Sequence, residues 1–122
     1  MKTVKDGDMV VSLFIDPDLD QVKAAHRISA DRVELHTGRY CEAFGAKDRE
    51  RELQRIIDCA KAATRLGMGC AAGHGLNYDN VRPIARVVEI DELNIGHSIV
   101  GRAVLSGFES AVREMVEIMR DP

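Results

Sequence analysis

Short apolar runs and longer stretches with apolar residues three and four positions apart alternate four times along the chain. The first run, at 10–15, is β-branched and aromatic enough for a buried strand. Asp16-Pro17-Asp18 then reads as an N-cap, a proline in the first helical position and an acidic first turn. Leu19, Val22, Ala25 and Ile28 form the inward stripe of that helix. A second strand at about 32–37 is closed by Gly38, and a polar loop through Gly45 leads to a long helix at about 49–66. Leu53, Ile56, Ile57, Ala60 and Ala63 line one side of that helix. Glu50 and Glu52 sit at its positive end and Arg65 at its negative end, and Gly67 supplies the stop.

The third strand, at about 68–72, runs into Gly73-His74-Gly75. Asp79 or Asn80 caps a third helix with Val81, Ile84, Ala85 and Val88 on one face, and Pro83 lies harmlessly in its first turn. The fourth strand is at about 93–99. Ser106 and Glu109 then pair as a capping box ahead of Phe108, Ala111, Val112, Met115 and Met119. Strand followed by helix, four times over, predicts an α/β fold of parallel strands joined by helical crossovers. Residues 1–122 read as a single domain with no linker and no low-complexity segment.

The polar residues share a position in this pattern. Asp16, the Glu34–His36–Thr37 group, His74 and the Gly96–His97 pair all fall within or just after the carboxyl ends of their strands. In parallel α/β folds that rim is where ligands bind.

Composition narrows the class. Among 122 residues, 17 basic against 20 acidic side chains give a net charge of −3 with no basic run, which argues against nucleic acid as a partner. No apolar stretch reaches the roughly 20 residues of a membrane helix, and nothing at 1–8 reads as a leader, so a cytoplasmic protein with no membrane partner is expected. Cys41, Cys59 and Cys70 are odd in number and form no CxxC pair, which fits reduced thiols rather than a disulfide or zinc framework.

Gly73-His74-Gly75 is the most informative tripeptide. Two glycines let backbone N–H groups approach an anion and leave an imidazole exposed for proton transfer near neutral pH. The competing reading is a tight turn with an incidental histidine. Gly96 permits close backbone approach before His97, and Arg102 would either add charge there or lie solvated on a helix. Glu34 and His36 share one face of their strand by the two-residue period. A carboxylate at Glu34, in a largely apolar place, is either a functional group or half of a structural ion pair. His36 alone is more often a packed or hydrogen-bonded histidine than a catalyst. Cys70 lies four residues before His74 on a strand, a spacing that separates the two, and is read as a buried small hydrophobe. No HxH or HExxH spacing supports a zinc site, and His26 reads as surface.

The runs Val11-Ser12-Leu13-Phe14-Ile15-Asp16, Glu34-Leu35-His36-Thr37-Gly38, Ala72-Gly73-His74-Gly75-Leu76 and Glu92-Leu93-Asn94-Ile95-Gly96-His97 carry a specific resemblance. With Gly101-Arg102-Ala103 they closely resemble pyridoxine 5'-phosphate synthases of vitamin B6 synthesis, from about residue 6 onward. The resemblance implies four consecutive βα units forming the C-terminal half of a TIM (β/α)8 barrel, in a family that assembles into octamers. It implies condensation of 1-deoxy-D-xylulose 5-phosphate with 3-amino-2-oxopropyl phosphate to give pyridoxine 5'-phosphate, with no cofactor and no metal. By the same resemblance, Glu34 stabilises the transition state, His74 donates a proton, and Gly75, Gly96 and His97 hold the amino-oxopropyl phosphate. Partners are then small phosphorylated substrates or free phosphate, and other copies of the chain.

Two departures stand out. Ala71 occupies the position, two residues before Gly73, where the family commonly has asparagine. A complete barrel takes about 250 residues, and 122 hold only four units. The family's histidine and glutamate general bases, an early Asn/Asp pair and a phosphate-binding arginine region belong to the other half and have no counterpart here. Half a barrel has open strand edges. It is expected to pair with a second copy, to complement a separate N-terminal half, or to be poorly stable alone. The isolated chain is expected to turn over little or nothing, since each missing acid–base group contributes factors of about 100 to 10,000. The alternative is a non-catalytic phosphate-binding half-barrel that self-associates or complements a separate N-terminal half.

Overall fold

The computed structural model describes residues 1–120. A short N-terminal turn, α1 (Lys2–Lys5), precedes β1 (Ser12–Ile15), α2 (Leu19–Arg27), β2 (Arg32–His36), α3 (Gly38–Glu42) and α4 (Ala46–Arg65). There follow β3 (Gly69–Gly73), α5 (Val81–Ala85), β4 (Glu92–Asn94), α6 (His97–Ser106) and α7 (Phe108–Arg120). The four strands are parallel and lie in the order β1-β2-β3-β4, so each strand pairs with the next. This is the α/β pattern of a half TIM barrel, the fold class expected from the alternation of runs.

The period-2 alternation of β2 separates the two faces of the sheet. Val33 and Leu35 are fully buried and face the helices, while Arg32, Glu34 and His36 are half-buried on the other face. Against the helix-side face pack Val22 and Ala25 of α2, Ile56, Cys59, Ala60 and Ala63 of α4, and Ile84 of α5. β3 contributes Cys70 and Ala72 to the same core. The inner face stays open: Phe14 is 56% exposed, and Glu92 and Asn94 are exposed. Among the described residues, β1 and β4 each have a strand on one side only. No described helix is long and apolar enough to cross a membrane.

Several local expectations are corrected. β1 begins at Ser12, and the run at 10–15 is not buried, since β1 is an edge strand with an open inner face and Val10 is 73% exposed. Leu19 and Ile28, expected in the inward stripe of α2, are exposed, and only Val22 and Ala25 of that stripe are buried. Asp16 is not the N-cap of α2. Asp18 takes that place, with extended backbone and a carboxylate that accepts the Asp20 N–H at 2.8 Å, so Pro17 precedes the helix instead of opening it. Asp16 instead makes the turn itself, its carbonyl accepting from Asp18 N and its N–H donating to Gln21 Oε1. The region before the long helix is not all loop, because Gly38–Glu42 forms the extra turn α3, and α4 begins at Ala46. β4 ends at Asn94 rather than running to 99. Its partner β3 ends opposite, at Gly73, because His74 turns away at φ 86° and offers no further ladder positions. Residues 97–106 therefore become α6, and Gly101 and Arg102 lie inside that helix.

Ser106 is not a capping residue. It ends α6, donating its hydroxyl back to the Arg102 carbonyl, and Gly107 (φ 85°) starts α7 by accepting the Ala111 N–H. Val88 lies beyond α5 and is 90% exposed, so it does not share the face of Val81 and Ile84.

Candidate functional site at the carboxyl ends of the strands

The turn after β3 carries the most constrained backbone of the rim. His74 and Gly75 both have positive φ, 86° and 79°. A non-glycine residue there costs about 1–3 kcal/mol and persists only when its surroundings hold it. Thr37, fully buried at the end of β2, supplies that hold. Its N–H and hydroxyl both reach the Gly73 carbonyl, at 2.9 and 2.8 Å, and the hydroxyl lies 2.5 Å from the His74 carbonyl. Cys41 Sγ approaches the same His74 carbonyl at 3.5 Å. Asn80 Nδ2 donates to the Gly75 carbonyl at 3.3 Å, while Tyr40 donates its hydroxyl to the Asn80 carbonyl at 2.7 Å. The strain is thus spent on presenting one exposed imidazole, that of His74, at a fixed place on the rim.

The opposite wall comes from β4 and α6. After Asn94 the chain turns through Ile95 and Gly96, and His97 is the first residue of α6. No acidic side chain occupies the first turn of this helix. Its leading N–H groups and positive dipole end therefore face the rim uncompensated, the arrangement that attracts phosphate and other anions. Ser98 ties the two walls together by donating its hydroxyl to the Leu76 carbonyl at 2.8 Å. Between the walls lies a cleft of about 470 Å³ lined by His74, Gly75, Leu76, Asn94, Ile95, Gly96 and His97.

The structure thus brings four of the expected site residues, His74, Gly75, Gly96 and His97, into one cavity. Glu34 is not in its lining. It stands on the open face of the sheet beside β3, where a Cβ placed on Gly73 would lie 2.5 Å from its Oε1. Its register neighbour across the ladder is Ala71, whose own neighbour is Glu92, so a methyl group separates two carboxylate positions. Glu34 has no ion pair among the described residues, and the structural ion pair weighed for it is absent there; Arg32, two positions earlier, is paired with Asp91. His36 is hydrogen-bonded and stacked, accepting the Gly38 N–H on Nδ1 at 3.0 Å.

Arg102 does not face the cleft. Its guanidinium lies 3.7 Å over the Tyr78 ring and pairs with Glu114 of α7, so it fastens α6 to α7 instead of adding charge to the site. Cys70 is buried, and burial pushes its thiol up to about 12, which removes any nucleophile role beside His74. Among the described residues, no three His, Cys, Asp or Glu side chains gather as a metal site.

Sequence reasoning missed the supports of the site. Thr37 was visible as a polar strand end, but its clamp on the next strand's turn spans 36 residues of chain. Ser98 follows His97 directly, yet its partner is Leu76, 22 residues away. Asn80 does stand at the N-cap of α5, but its side chain makes no capping bond; its carboxamide accepts from Asn77 N and donates to the Gly75 carbonyl.

A family model described as pyridoxal phosphate biosynthesis protein PdxJ matches residues 1–121. A protein named pyridoxine 5'-phosphate synthase from Desulforapulum autotrophicum is 50% identical over 120 residues, which cover 98% of this chain and 50% of the relative. Proteins of the same name from Geobacter sulfurreducens and Syntrophotalea carbinolica are each 53% identical, over 117 and 116 residues. These alignments cover 96% and 95% of this chain and 49% and 48% of the relatives. The chain spans about half the length of the curated relatives it matches.

Proposed function

The chain belongs to the PdxJ family of pyridoxal phosphate biosynthesis proteins, and we propose that it supplies one half of a pyridoxine 5'-phosphate synthase active site. The reaction is the condensation of 1-deoxy-D-xylulose 5-phosphate with 3-amino-2-oxopropyl phosphate. The observation that carries this reading is the convergence of the β3 turn and the α6 N-terminus on one cleft. The α6 end and the Gly75 backbone hold the phosphate of the amino-oxopropyl substrate, with His97 at the first helical position. His74, on its strained turn, delivers the proton to the reacting group. Glu34 stabilises positive charge that develops in the transition state, from its place next to Gly73.

The open edges of β1 and β4, and the exposed Phe14 that β1 presents on the inner face, support a working unit in which four further βα units close the barrel. The remaining acid–base groups come from that other half. The 122-residue chain by itself then gives no turnover.

Titration with inorganic phosphate, followed by amide NMR on the labelled chain, tests the binding half of the proposal. A saturable shift centred on Gly75, Gly96 and His97 is expected, and no response at millimolar phosphate overturns the assignment. Turnover by the chain alone would overturn the division of labour. Restored pyridoxine 5'-phosphate formation on adding the N-terminal half of a full-length relative would support it. Light scattering separates the two ways of closing the edges, since a discrete dimer without that half assigns closure to a second copy.

A further inference from the structure

His36 is not part of the cleft lining, yet it touches the residue that the proposed reaction depends on. Its ring centroid lies 4.5 Å from that of His74, with the planes inclined by 31°. On the other side, Phe14 of β1 lies 5.0 Å away at 32°. The three rings come from β1, β2 and the turn after β3, and they form one tilted stack across the strand ends. Offset and tilted pairs at these separations are attractive beyond their buried area.

The middle ring of the stack is held by a second contact. Gly38 is the first residue of α3, so its N–H has no partner within that helix. That N–H donates to His36 Nδ1 at 3.0 Å. The bond decides the ring's orientation, because the alternative flip would present a C–H to a donor. It also decides the tautomer: a nitrogen that accepts an N–H bond carries no proton, so the proton of neutral His36 sits on Nε2. Gly38 has room for this arrangement only without a side chain, since a Cβ there would overlap His36 Cε1, lie 2.9 Å from its Nδ1 and press on His74 Cδ2 at 3.3 Å.

We infer that His36 is a positioning residue for His74: a neutral ring, locked as the Nε2–H tautomer by the Gly38 amide and backed by Phe14, against which the His74 imidazole is held in one orientation. A neutral π face is one on which a protonated imidazole can rest without charge repulsion. Thr37 fixes where the His74 backbone goes, and His36 fixes where its ring points. The inference builds on the reading of His74 as the proton donor.

The test is NMR on the uniformly labelled 122-residue chain. Long-range proton–nitrogen spectra of the unaltered chain are expected to show His36 with an unprotonated Nδ1 and a protonated Nε2. A proton on Nδ1 in the neutral ring overturns the inference without any variant being made. His36→Phe keeps a ring and loses the acceptor, whereas His36→Asn keeps an acceptor for Gly38 and loses the ring. His74 side-chain couplings are expected to report one rotamer in the unaltered chain and in His36→Phe, and averaging in His36→Asn. A role limited to satisfying the Gly38 amide predicts the reverse order, which would overturn the proposal, as would an equally ordered His74 in both variants. Phosphate titration of the same samples keeps the two readings apart. A missing phosphate response in the unaltered chain counts against the proposed function, while the ring measurements judge His36.

Discussion

A methyl group added at Gly73 would strike two neighbours at once, and they differ in what they can yield. A Cβ there would lie 2.5 Å from Glu34 Oε1 and 2.9 Å from the Asn94 backbone carbonyl, with Asn94 Cβ at 3.1 Å. The glutamate is a flexible side chain and can swing aside. The carbonyl belongs to β4 and moves only if the β3–β4 ladder opens. Overpacking of this kind costs about 1–3 kcal/mol. Replacing glycine by alanine recovers about 0.4–1 kcal/mol by restricting the unfolded chain. The net expectation for Gly73→Ala is a loss of about 1–2 kcal/mol. With a urea slope of about 1.5 kcal/mol/M, that lowers the unfolding midpoint by roughly 0.7–1.3 M, measured at one fixed protein concentration. The same substitution made in a Glu34→Ala background removes the first clash and leaves the second, so the loss is expected to shrink without vanishing. An unchanged midpoint for Gly73→Ala would refute the close-approach argument. An equal loss in both backgrounds would show that the Glu34 side chain swings aside at no cost and that the Asn94 carbonyl is the whole obstacle.

Thr37→Val keeps the shape of the buried side chain but removes the hydroxyl that reaches the Gly73 and His74 carbonyls; a loss of about 1–2 kcal/mol and broadened His74 and Gly75 resonances are expected, with Thr37→Ser restoring the sharp resonances but, lacking the buried methyl, not the full stability. Arg102→Ala removes the contacts with Tyr78 and the exposed pair with Glu114, so stability falls by no more than about 1 kcal/mol while the phosphate response of Gly75 and Gly96 is preserved. A loss of that response would put Arg102 in the site after all. Burial pushes the Cys59 thiol up to about 11 and that of Cys70 to about 12. Both stay protonated in the folded chain while the unfolded chain ionises near 9, so stability is complete below about pH 9. It then falls toward pH 12 by at most about 1.4 kcal/mol per pH unit per thiol, which urea titrations across that range will read. Asp31 works in the opposite direction: the Lys5 ammonium and the Val11 N–H hold its carboxyl below the usual range. Its contribution is present above the ordinary carboxylate pKa and fades as the pH drops through the lowered one. Acidification should therefore release α1 from the start of β2, visible as loss of the Val11 amide's protection.

The fold and the cleft were legible to different depths. The 10–15 run, the three- and four-residue spacing at 53–63 and the Gly67 stop are local signals, and local signals survive in a single sequence because they depend on backbone sterics and on which face is apolar. The same holds for placing His74, Gly75, Gly96 and His97 at strand carboxyl ends, since in a parallel sheet every such end meets the same rim. What chain order cannot state is where one strand's length is set by another's. β4 stops at Asn94 because β3 stops at Gly73, and only with that pairing does 97–106 become a helix whose N-terminus faces the cleft. The turn of Arg102 toward Tyr78 and Glu114, the Thr37 clamp and the Phe14–His36–His74 stack likewise join residues far apart in sequence. Each depends on distances of a few ångströms between separate elements. Propensity and period assign each residue to an element and a face. Which side chains then meet across elements is decided by packing alone.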